Sequence, residues 1–108
     1  MDNVRVGEHT KCLDLLQVVC SPGTEKPFSD CAILLEVWNA GGLLQTNLAI
    51  PEGAVIAIGS IGVQGQVVSC QRDEFGFIVE IGVCDSQWFP AGYVPPYILQ
   101  ESANSAGA

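Results

Sequence analysis

From Phe75 to Val83 the odd positions, Phe75, Phe77, Val79, Ile81 and Val83, are all apolar, while the even ones include Gly76, Glu80 and Gly82. A period of two turns one set of side chains to a core and the other away from it, which is the geometry of a half-buried strand. The rest of the chain follows the same logic. Short apolar runs rich in β-branched residues are separated by glycine, proline and asparagine, which end strands and make turns. A chain written this way has no room for a long helix.

Upstream of that segment, Val63 to Cys70 is valine-rich and follows the turn-like Gly59-Ser60-Ile61-Gly62. The loop Gln71-Arg72-Asp73-Glu74 is expected to join it to the Phe75 strand as an antiparallel hairpin, with a bulge where alternation slips at Val67-Val68. Further strands are expected at Asp30 to Val37, Leu43 to Ala49 and Ala54 to Ile58, divided by the glycine turn at residues 38–42 and by Pro51-Glu52-Gly53. Leu13 to Cys20 fits a short helix nearly as well as a buried strand. Its β-branched and cysteine ending, followed by Ser21-Pro22-Gly23, favours the strand. Trp88 to Leu99 holds Pro90, Pro95 and Pro96 and is excluded from any central strand. The expected fold is all-β: one domain over residues 1–108, a small six-stranded Greek-key-like barrel with its core in 13–99. A Pro/aromatic segment follows the last stave, and residues 100–108 form a flexible tail.

Charge narrows the list of partners. Twelve acidic residues against four basic ones give a net charge of −8. Nucleic-acid binding needs Lys and Arg to displace counterions from phosphates, and anionic membranes need the same cations, so neither partner is expected. The longest uncharged stretch, Gly53 to Gln71, carries four glycines with Gln64, Gln66, Ser60 and Ser69, and reads as strand-turn-strand instead of a membrane span. The N-terminus shows no apolar signal region. The five cysteines form no CxxC pair, and no loop carries carboxylates at alternating positions, so no metal site is expected. Buried, reduced thiols in a cytoplasmic protein are the plain reading.

The order of elements resembles a PilZ domain, the six-stranded barrel best known as a bacterial cyclic di-GMP receptor. The strand Asp30 to Val37 runs into Asn39-Ala40-Gly41-Gly42 and then Leu43-Leu44-Gln45-Thr46, similar to the family's N-x-S-x-x-G turn and apolar pair. Val63-Gln64-Gly65-Gln66-Val67-Val68 resembles its G-x-V strand, and Phe77 to Val83 its closing strand. The resemblance implies a ligand held by two features, an RxxxR segment near the N-terminus and a D/N-x-S-x-x-G turn. Planar, permanently charged guanidiniums suit a dianionic dinucleotide. Here the first segment reads Arg5-Val6-Gly7-Glu8-His9, with histidine in the second arginine place. The turn, taken as Val37 to Gly42, has valine in the acidic place and Asn39 in the serine place, with Gly42 matching. By resemblance, Arg5, His9, Asn39 and Gly42 are the candidate ligand residues. The incomplete set implies a degenerate member that binds cyclic di-GMP weakly or not at all; the alternative is a cyclic di-GMP receptor.

Two other groups invite a functional reading. His9, Cys12 and Asp14 are of the types that make a thiol nucleophile, but catalytic groups usually converge from distant segments, and a solvated histidine is the simpler account. Trp88, Phe89, Tyr93 and Tyr97 lie among prolines after the last barrel strand, where they suit either an edge cover or an interface with a protein partner or a second copy. The expected function is a non-catalytic regulatory or protein-interaction module, without enzyme activity and without a resident cofactor.

Overall fold

A computed structural model describes residues 9–23, 26–59, 62–83 and 94–99. Seven strands account for most of them: β1 (Thr10–Ser21), β2 (Phe28–Trp38), β3 (Gly41–Thr46), β4 (Val55–Ile58), β5 (Val63–Asp73), β6 (Gly76–Val83) and β7 (Tyr97–Ile98). All pairings are antiparallel, in the order β2-β3-β6-β5-β4-β1, and β1 pairs back onto β2 to close a six-stranded barrel. Reading β4-β1-β2-β3 in space gives the Greek-key order 4-1-2-3. Closure removes most of the free edges that would otherwise attract other strands, although β1 pairs with β4 only from Val19 to Ser21. The segment at residues 13–20 is therefore strand, within the longer β1.

Inward-facing side chains alternate along every stave. Cys12, Leu16, Val18 and Cys20 of β1 meet Ala32, Leu34 and Val37 of β2, with Leu44, Ile56, Ile58, Val67, Val79 and Ile81 filling the remainder. Each fully buried Leu, Ile or Val contributes about 1.5–3 kcal/mol of transfer free energy. The strand-turn-strand expected between Gly53 and Gln71 is β4, a turn and the first part of β5. Among the described residues no helix is long and apolar enough to cross a membrane.

Three bulges break the alternation. Val68 is the extra residue between Val67↔Ile81 and Ser69↔Glu80, where the sequence pattern slips. β1 carries one extra residue between Lys11↔Glu36 and Asp14↔Leu34, and β2 carries Leu35 between Leu34↔Leu44 and Glu36↔Leu43. The Leu35 bulge inverts the facing of the strand. Asp30, Ala32 and Leu34 turn inward at even positions, and after the bulge Val37 is the core residue.

Two expectations about the β5–β6 hairpin need correction. Asp73 pairs with Gly76, so the loop is only Glu74-Phe75; β5 runs past Cys70 to Asp73, and β6 begins at Gly76 instead of Phe75. Phe75 sits in that loop and is 76% exposed instead of beginning the buried face. The two-residue loop leaves its first apolar position outside the barrel. The cysteines also divide: Cys12 and Cys20 are buried, Cys70 is half-buried and Cys31 is exposed. Cys31 lies one residue out of phase with the inward series Asp30, Ala32 and Leu34, which is why burial fails there.

Candidate functional site

Antiparallel pairing of Thr10 with Val37 and of Lys11 with Glu36 brings His9, just ahead of β1, abreast of Trp38 at the end of β2. Trp38, Gly41 and Gly82 share one row across β2, β3 and β6, beside the core row Val37, Gly42 and Ile81. The row of Trp38 faces outward. On the β3 and β6 side the residues abreast of it are the glycines Gly41 and Gly82. Gly41 is also required sterically, since a Cβ there would lie 2.1 Å from the carbonyl oxygen of Ile81.

His9 lies flat on Trp38, with ring centroids 4.8 Å apart and planes 14° from parallel. Its Nδ1 is 2.6 Å from Oε2 of Glu36, which shares the outward face of Trp38 two residues away. A protonated imidazole in this place is both an ion-pair partner and a cation over an indole face. Trp38 is 1% exposed. The histidine expected to be merely solvated is thus built into the end of the barrel. Glu36 escaped the sequence reading because strict alternation from Leu34 places it inside; the Leu35 bulge puts it outside.

The other expected site residues are placed separately. Asn39 is exposed in the two-residue turn between β2 and β3, and Gly42 lies buried within β3. Arg5, Trp88, Phe89 and Tyr93 lie outside the described residues. Tyr97 is exposed in β7, which pairs with the edge of β1 through Cys12↔Ile98 and Leu13↔Tyr97. Leu99 donates its N–H to the carbonyl of Lys11 at 2.8 Å, so the end of the proline segment covers an edge there.

The nucleophile reading has no support in the geometry. Cys12 faces the core, and its thiol is pushed up to about 11, chiefly by burial and further by Asp14 and Glu36. A nucleophilic thiol needs the opposite shift. Among the described residues no three His, Cys, Asp or Glu side chains gather in a way that could hold a metal ion.

A second polar feature was hidden in the sequence. Asp30 is buried at an inward position of β2 and accepts hydrogen bonds from the N–H groups of Cys31 (2.8 Å), Asn47 (3.1 Å) and Leu48 (3.3 Å), and from Nδ2 of Asn47 (3.2 Å). It ties the β3–β4 connection to the barrel. Its signal was an acid in phase with Ala32 and Leu34. No family model, no curated protein and no solved structure matches this chain.

Proposed function

We propose that this chain is a non-catalytic, PilZ-like regulatory or protein-interaction module that binds cyclic di-GMP weakly or not at all. The observation that carries the reading is the engagement of His9 by Glu36 and Trp38. The resemblance implies a cation at that position, free to grip phosphate. Here that place holds a histidine, and its Nδ1 faces a carboxylate.

The turn supports the same reading: valine stands in the acidic place at Val37, Asn39 stands in the serine place, and only Gly42 matches. Glu36, the residue before that turn, is directed at His9. A net charge of −8 adds long-range repulsion toward a dianion. The free state of Cys12, Cys20, Cys31 and Cys70 suits a reducing compartment, and the proposal places the chain in the cytoplasm.

Isothermal titration with cyclic di-GMP tests the proposal. No heat is expected with the protein in the range of tens of micromolar, where signalling affinities would saturate. A saturating isotherm that disappears in His9→Ala would establish a receptor and overturn the proposal.

A further inference from the structure

The outer face of β1, β2 and β3 carries a groove of about 350 Å³ beside the β5–β6 turn. Its apolar surface comes from Leu15, Ile33 and Phe75; Leu15 is 74% exposed and Phe75 76% exposed. Leu15, Ile33 and Gln45 lie abreast in one row across the three strands. Side chains this large and this exposed, side by side on one face, mark a surface meant to be covered.

The polar groups of the groove show what kind of side chain it takes. Thr46 donates its hydroxyl to the carbonyl of Leu48, Asn47 donates Nδ2 to Asp30, and Gln45 donates Nε2 to Asp73. Each is committed to a hydrogen bond within the chain, so the surface offered to a visitor is apolar. No ionised side chain lines the groove. The charges at the hairpin end of the groove are acidic: Asp73 and Glu74, both exposed, precede Phe75. Arg72 lines a different groove, with Glu52 and Phe77.

We propose that this groove docks a basic segment of a partner protein, with one or two large apolar side chains in the groove and flanking lysines or arginines against Asp73 and Glu74. The proposal rests on the reading of the chain as an interaction module and names the chemistry of its partner. Charge selects this occupant over a second copy, which would bring the same two acids and another −8 to the contact.

The test titrates the isotopically labelled full chain with a synthetic peptide in which Phe-Leu is flanked by two lysines on each side. A twin peptide carries Ser-Ser instead. Amide shifts are expected around residues 15, 31, 33, 45 and 75, with the twin at least about ten-fold weaker, as loss of a buried apolar side chain demands. Raising salt from about 0.1 to about 1 M shortens the screening length from about 10 to about 3 Å and is expected to weaken binding. Leu15→Ser and Phe75→Ser replace exposed residues, and each is expected to weaken the Phe-Leu peptide about ten-fold with the remaining amide spectrum unchanged. Equal binding of the two peptides, shifts centred elsewhere, unaltered affinity in both variants, or no shifts at all would each overturn the proposal. So would a dimer in sedimentation that tightens with salt and is lost in Leu15→Ser; that result removes the partner class but leaves the interaction module standing. Heat with cyclic di-GMP removes the module reading without bearing on the groove.

Discussion

Asp30 combines burial with four accepted hydrogen bonds, three of them from backbone N–H groups. Alanine there removes the acceptor and leaves those donors short of partners inside the protein. A loss of about 2–4 kcal/mol in urea unfolding is expected for Asp30→Ala, and a loss under about 0.5 kcal/mol would mean that water substitutes for the carboxylate. The thiols give a second prediction. Cys12 and Cys20 are each pushed up from 9.0 to about 11, mainly by burial, with Asp14 and Glu36 adding for Cys12 and Asp30 for Cys20. In the unfolded chain they ionise near 9, so between pH 9 and about 11 the unfolded state holds fewer protons and stability falls as pH rises. The expected loss is about 2–3 kcal/mol per thiol, fully present as stability below pH 9 and gone above about 11. Replacing both cysteines by alanine would flatten that part of the curve. Mass spectrometry after brief alkylation of the native chain is expected to find Cys31 labelled and Cys12 and Cys20 untouched.

At the scale of elements, bulges and glycines determine which side chains meet. The bulge at Val68 was legible, because two adjacent valines interrupt an alternating run. The bulge at Leu35 was not, since Ile33-Leu34-Leu35 is apolar throughout and gives no phase. Only pairing with β3 reveals that Leu35 is the additional residue and that Glu36 and Trp38 share the outer face. Gly41 allows β3 to approach β6 at this point, whereas a Cβ at Gly59 would meet nothing within 4 Å. Gly41→Ala is therefore expected to lower the melting temperature sharply, by the roughly 10 °C or more that about 2–3 kcal/mol implies for a domain of this size. Gly59→Ala is expected to leave it within about one degree or raise it slightly, because it only reduces the freedom of the unfolded chain. Equal effects from the two substitutions would contradict the close approach of β3 to β6.

For the whole molecule, the balance of 12 acids against 4 bases acts on stability as well as on partners. Like charges crowd together when the chain folds, and salt screens them. The melting temperature is expected to rise between about 0.02 and about 0.5 M sodium chloride; a fall would mean that attractive pairs such as His9–Glu36 outweigh the net repulsion. The barrel itself tolerates this charge because the interior is apolar apart from Asp30 and Thr46, among the described residues. The same repulsion opposes both a dianionic ligand and a second copy.

The sequence by itself determined the strand class, most strand positions and the turns, because a two-residue period and glycine or proline punctuation are local properties of the backbone. It also pointed to His9 and to the turn after β2, through a resemblance in order and spacing. Tertiary structure alone decided what those residues do. Closing β1 onto β2 sets His9 against Trp38 and Glu36, and the short loop between β5 and β6 leaves Phe75 beside Leu15 on the outer face. Facing depends on cross-strand register, and one extra residue reverses it. Register is a property of two strands together, so neither strand carries it alone.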